Sequence, residues 1–133
     1  MEFEGLKKSQ DNGLEVWVPF GDDEVLIRYI SRDELKKIAR QSKKTSFVSH
    51  QKIEEFDDIT ADILLGRAVV KDWKGFTMNG EPMPCTPENI DFLMTKWNSF
   101  AKFVNETCVD LEFLIQHEKD KTTKNSSLTS GQK

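Results

Sequence analysis

Ile90, Leu93, Met94, Trp97, Ala101, Val104, Cys108, Leu111 and Ile115 fall on one helical stripe, and no other feature constrains the fold as strongly. The spacing is close to seven residues per two turns and holds for almost four heptads, the period of an amphipathic helix rather than a strand. Thr86-Pro87-Glu88 precedes the stripe. It supplies a hydroxyl cap, a proline whose missing N–H is harmless in the first turn, and an acid suited to the positive end of the helix dipole. Phe92, Phe100, Phe103 and Phe113 widen the apolar surface beyond one seam. Asn98-Ser99 offers a second cap, so the span 87–118 reads as one bent helix or as two with a break near 98.

The stripe needs partners to cover it, and the upstream sequence supplies them. Leu14, Val16, Val18 and Phe20 alternate with Glu15, Trp17 and Pro19; Gly21-Asp22-Asp23 follows as a turn, and Val25 to Ile30 alternates again. Two runs of period two around a Gly/Asp turn predict a β-hairpin over 14–30. Pro19 cannot donate to a ladder, so its strand is expected either to lie at an edge or to end there. Ser31-Arg32-Asp33-Glu34 is a capping box that opens a helix over about 31–44, with Leu35, Ile38 and Ala39 as a narrow apolar stripe. Thr45 to Ser49 reads as a polar connection. From Gln51, the steps Ile53, Phe56, Ile59, Ile63 and Leu64 predict another helix over 51–68, with Glu54, Glu55, Asp57, Asp58 and Asp62 on its solvated face.

Lys71 to Pro87 breaks every period. It contains Asp72-Trp73-Lys74-Gly75-Phe76, Asn79-Gly80 and the prolines Pro82, Pro84 and Pro87, which exclude a helix and favour turns and extended backbone. Trp73, Phe76 and Met83 are too apolar for a free loop and call for burial.

These elements predict an α+β fold, mainly α-helical: an N-terminal β-hairpin packed on a small bundle of about four helices, forming one compact domain over 14–118. Residues 1–13 read as a flexible arm and 119–133, polar apart from Leu128, as a disordered tail. Hydrophobic residues make up 37% of the 133, which is low for a thick core, and charged residues make up 32%. The net charge of -4 disfavours nucleic acid, which needs a basic face to release counterions. The densest basic stretch, Lys36, Lys37, Arg40, Lys43 and Lys44, suits a solvated helix face. No apolar run approaches the roughly 20 residues of a membrane span, and MEFEGLKK lacks the order of a signal peptide. A reducing cytoplasm is the expected location.

Catalysis requires a nucleophile, a base and an orienting group in one cleft, and the inventory is thin. Cys85 and Cys108 are not spaced for a disulfide scaffold, and with His50 and His117 they form no zinc pattern. The acids of 54–62 lack the spacing and glycine of a calcium loop. No catalytic residue, metal ligand or cofactor is expected, and no enzymatic activity. The apolar surface is more telling, because a patch of a few hundred Å² left uncovered marks a partner site. Trp97, Phe100 and Phe103, with Trp73 and Phe76 of the loop, are the candidate partner-binding residues; the competing reading makes them core.

Val70-Lys71-Asp72-Trp73-Lys74-Gly75-Phe76, then Asn79-Gly80-Glu81-Pro82, then Thr86-Pro87-Glu88-Asn89-Ile90 before an apolar helix resemble the tail assembly chaperones of long-tailed bacteriophages. The hairpin followed by Tyr29-Ile30-Ser31-Arg32-Asp33-Glu34-Leu35 is similar to that family's start. The resemblance runs from Leu14 to Leu114 as many weak positions, and it departs at Cys85, where an apolar residue is expected. It implies a helper made from a phage or prophage that binds the tape measure protein, keeps its hydrophobic helices soluble and promotes tail tube assembly. The tail tube protein and self-association are further partners in view, with neither nucleic acid nor membrane. A tail completion or connector component of the virion and a small regulatory binding protein are the alternatives.

Overall fold

In the computed structural model, residues 13–118 are described. The predicted arm and tail, apart from Gly13, lie outside them. Strands β1 (Glu15–Phe20) and β2 (Asp23–Arg28) form the predicted hairpin in antiparallel register, Val16 opposite Ile27 and Val18 opposite Val25. A third strand, β5 (Val70–Lys74), joins the other edge of β2, giving the order β1-β2-β5. The ladder places Val25 opposite Trp73 and Ile27 opposite Val70, and its register shifts between Leu26 and Ile27. That bulge puts Val70 and Trp73 on the same buried face although they are three residues apart. β1 is an edge strand, where Pro19 is tolerated.

The sheet's inner face meets helices α2 (Asp58–Val69), α3 (Pro87–Lys96) and α4 (Asn98–Thr107). Val16, Val18, Val25 and Ile27 share one core with Leu65, Val69, Ile90, Leu93, Met94, Phe100 and Val104. Gly66 lets α2 and α3 touch: a Cβ there would lie 2.5 Å from Met94 Cγ and 3.0 Å from Ile90 Cγ2. On the outside, Arg67 Nε donates to Asp91 Oδ1 at 2.9 Å and clips the same two helices together. The predicted 87–118 helix is three pieces. Trp97 (φ -116°, ψ 93°) separates α3 from α4, and residues 108–110 separate α4 from α5 (111–118). The break falls one residue before Asn98, and no side chain caps α4. The Ile30 N–H donates to the Cys108 carbonyl at 2.9 Å, which ties the end of β2 to the end of α4.

Helix α1 (Arg32–Gln41) is capped by Ser31 through the Glu34 N–H, as the capping box predicts, and it buries no residue fully. Arg28 holds it with a bidentate pair to Glu34 (3.0 and 3.1 Å) while its Nε donates to the Ala68 carbonyl at 3.0 Å.

The sequence expectation fails between α1 and α2. Residues 45–49 are not a connection and 51–56 are not helical: β3 (Lys43–Val48) and β4 (Gln51–Phe56) form a second antiparallel hairpin. Its turn, Ser49-His50, has φ of 52° and 67°, the left-handed pair of a type I′ connection. Helix α2 begins later than predicted because Asp57 caps it, accepting from the N–H groups of Ile59 and Thr60. At the hairpin's base the Asp57 N–H donates to the Ser42 carbonyl at 2.7 Å.

The segment between β5 and α3 is extended and turned, as predicted. Short strands β6 (Thr77–Met78) and β7 (Glu81–Pro82) close around Asn79-Gly80. The buried Trp73 Nε1 donates to the Met83 carbonyl at 2.7 Å, and Asn89 Nδ2 donates to the Pro84 carbonyl at 2.8 Å. Thr86 caps α3 through the Asn89 N–H. The resulting architecture is α+β, five helices with antiparallel strands among the described residues.

Candidate functional site

Where α3 ends, Trp97 serves both helices: its N–H donates to the Leu93 carbonyl at 2.9 Å, and its carbonyl accepts from the N–H groups of Phe100 (3.0 Å) and Ala101 (3.1 Å). Leaving helical geometry at this residue swings the indole outward, and Trp97 is 41% exposed. Its ring stacks on Phe100 with centroids 5.9 Å apart, meets Phe20 edge-on at 5.2 Å and tilts against Phe76 at 5.9 Å. Such pairs contribute about 0.5–1.5 kcal/mol each beyond area burial, so the exposed indole is fixed rather than free.

Beside it lies a hollow of about 230 Å³ lined by Asp23, Phe76, Thr77, Met83, Leu93 and Trp97, with Gly75 in its wall. Gly75 has φ of 97°, and a Cβ there would lie 2.2 Å from Asp23 Oδ1, so the wall needs glycine for both conformation and space. The volume is below the roughly 300–1,000 Å³ of small-molecule sites. It suits one apolar side chain of a partner, with the Asp23 carboxylate at hand to accept a hydrogen bond.

The five sequence-predicted partner residues do converge, though not all at a surface. Trp73, Phe76 and Phe100 are 5%, 7% and 0% exposed. Trp73 stacks on Phe76 at 5.0 Å, and Phe100 lies 5.9 Å from Phe76. Trp73 and Phe100 belong to the core, Phe76 shows one edge to the hollow, and Phe103 is half-buried against Phe20 at 4.8 Å. Only Trp97 among the five is broadly exposed. Sequence reasoning missed Phe20, which contacts Phe76, Trp97, Phe100 and Phe103. Its place before the Gly21 turn was the only signal, and alternation alone does not distinguish an aromatic hub from an ordinary core residue. Asp23 and Leu93 were missed as lining residues for the same reason.

A second hollow of about 720 Å³ opens between α2 and α4, walled by Asp58, Ala61, Asp62, Lys102, Asn105 and Glu106 among others. Asn105 Nδ2 donates to Asp62 Oδ1 at 3.2 Å across it. It is broad and mixed in character, with Phe56, Ala61 and Ala101 lining it beside the charged Asp58, Asp62, Lys102 and Glu106.

Burial pushes the Cys108 thiol up to about 12, and burial with the nearby Asp72 charge pushes Cys85 up to about 11. Both are neutral near pH 7, whereas a nucleophilic or metal-binding cysteine must be a thiolate. His50 sits on the turn of the second hairpin, and His117 stacks on Phe113 at 5.6 Å. Among the described residues no three of His, Cys, Asp and Glu gather as metal ligands, and no helix is long and apolar enough to cross a membrane. What the geometry offers is apolar recognition.

Comparison with known proteins adds one finding. The family model of the YdaY prophage protein matches residues 26–125, which is three quarters of the chain, from within β2 to beyond α5. No curated protein and no solved structure matches.

Proposed function

The chain belongs to the family of the YdaY prophage protein, and on that premise we propose that it is a tail assembly chaperone, acting in the cytoplasm of the bacterial host. In this reading it binds the tape measure protein, keeps that protein's apolar helices soluble and promotes tail tube assembly around it. A prophage origin supports the reading, as does the resemblance of the segments 70–76, 79–82 and 86–90. The observation that carries it is the Trp97 hollow, a recess with a rigid aromatic rim in which Phe76, Met83 and Leu93 stand beside Asp23 and Thr77.

Amphipathic helices dock by placing residues at i, i+3, i+4 and i+7 into apolar recesses. A socket of this size takes one such residue, and burying one Leu or Ile side chain contributes roughly 1.5–3 kcal/mol. Micromolar binding needs about 8 kcal/mol. A single socket therefore gives weak, repeatable contacts along a long client, which suits a helper that must later be displaced.

The test is co-expression with the tape measure protein of the same prophage, followed by affinity purification. A soluble, co-eluting client is the expected result, and Trp97→Ser should lose it; the variant also gives up three ring contacts and melts lower, so the comparison is made at a temperature where circular dichroism shows it folded. Phe100 is unsuitable for this test because its burial makes any loss of binding a loss of fold. An insoluble client, or undiminished binding by Trp97→Ser, refutes the assignment. The chain should then be sought in purified particles as a tail completion or connector component.

A further inference from the structure

The β3–β4 hairpin has no counterpart in the client-binding reading and does not depend on it. Every residue of its two strands is exposed except Ile53, which is half-exposed, so the hairpin projects from the body and meets it only near its base, where Phe56 lines the hollow between α2 and α4 and Lys44 pairs with Asp57. Six residue pairs at about 3.4 Å each carry it roughly 20 Å outward. Among the described residues neither outer edge pairs with another strand. An isolated two-stranded hairpin is marginal in water, and an open edge invites a further strand. Yet this one carries Phe47 at 73%, Phe56 at 54% and Val48 at 54% exposure.

The two edges differ in chemistry. β3 carries Lys43 and Lys44 and no acid, the single-sign edge with which proteins discourage pairing. β4 reads Gln51-Lys52-Ile53-Glu54-Glu55-Phe56, and its central triplet is complementary to itself when reversed. Laid antiparallel against a second copy with Ile53 facing Ile53, β4 places Lys52 of each copy opposite Glu54 of the other. Lys52 and Glu54 already pair within one strand at 3.5 Å, so the two copies close a ring of four alternating charges on one face. The two isoleucines meet on the other face.

We infer that this protein forms a two-fold dimer through edge-to-edge pairing of β4, making a four-stranded sheet in the order β3-β4-β4-β3. The symmetry is isologous, each copy giving and receiving the same contacts, so the assembly closes at two. Backbone hydrogen bonds and the covered Ile53 supply the attraction, while the charges fix register and exclude the alternatives.

Light scattering coupled to size exclusion tests this on the full chain. The expected mass is twice the 15.4 kDa of the single chain. Glu54→Lys, at an exposed position, sets lysine against lysine twice and should return the mass to that of a monomer. The swap Lys52→Glu with Glu54→Lys reverses the ring and should restore the dimer. A monomeric wild type at the highest soluble concentration overturns the inference. So does a Glu54→Lys variant that stays dimeric, a swap that stays monomeric, or a ladder of higher oligomers, which would instead indicate β3-to-β4 pairing in an open chain.

Discussion

Gly66→Ala sets two well-measured effects against each other. In a helix interior, alanine is favoured over glycine by about 0.8–1.0 kcal/mol, so the substitution in α2 should stabilise if propensity decided. The structure says otherwise: the added Cβ would lie 2.5 Å from Met94 Cγ and 3.0 Å from Ile90 Cγ2. Met94 is 2% exposed, and the contacting atom is near the root of its side chain rather than at the flexible end. Overpacking of this kind costs about 1–3 kcal/mol. The net expectation is a loss of about 1 kcal/mol, or roughly 4–8 °C in Tm for a domain of this size. Met94→Ala removes the nearer obstruction, leaving the 3.0 Å approach to Ile90 Cγ2, and by itself should cost about 2–5 kcal/mol. In that background Gly66→Ala should change sign and stabilise by about 1 kcal/mol or more, since propensity and partial filling of the space then act together. Urea denaturation of the four proteins gives the coupling directly, and about 2 kcal/mol is expected, within the range for residues in contact. Additive effects, with Gly66→Ala stabilising both backgrounds equally, would refute the claim that α2 and α3 touch through this glycine.

Phe100→Ala empties a site with no solvent exposure, at the centre of the aromatic cluster, and should cost about 3–5 kcal/mol in denaturant unfolding. Labelling with a thiol reagent at pH 8 should modify Cys85 slowly and Cys108 only on unfolding, because burial raises both pKa values. The same shifts set a sign at alkaline pH. Above the ordinary thiol pKa of 9.0 the unfolded chain gives up protons that the folded chain retains, so stability should fall from about pH 9 toward 11 or 12. Glu34 titrates low chiefly because of its hydrogen bond to Arg28. Glu34→Gln should lose only about 0.2–1 kcal/mol at pH 7, since water screens this half-exposed pair, and the difference should vanish as pH falls through and below the carboxylate range.

Local signals with a unique physical meaning were legible in the sequence. The alternation around Gly21, the capping box at Ser31 and the Thr86-Pro87 helix start all correspond to observed elements. The β3–β4 hairpin was not legible for two reasons. Ser49-His50 adopts the left-handed turn without the Asn-Gly that normally announces it. In addition, Ile53, Phe56, Ile59 and Ile63 keep a helical rhythm across the boundary at Asp57, although the first two lie on a strand. β5 escaped because its bulge puts buried residues three apart, a spacing that fits neither simple period. At the candidate site, Trp97 was legible as an apolar residue in excess of the core. The hollow was not, because it depends on Gly75, Asp23 and Met83 arriving from three separate elements.

One backbone contact has a broader consequence. The Asp57 N–H and the Ser42 carbonyl meet at 2.7 Å, and Ser42 is buried with its Oγ donating to the Ile38 carbonyl. The chain therefore leaves the body and re-enters it through what is, for the core, a closed junction. Whatever lies between those two residues is an excursion whose length the core does not register. Doubling the excursion from its present span, residues 43–56, adds only about 0.6 kcal/mol of closure entropy. Here the chain can gain or lose sequence, and acquire new contacts with other molecules, without renegotiating the packing that keeps the rest folded.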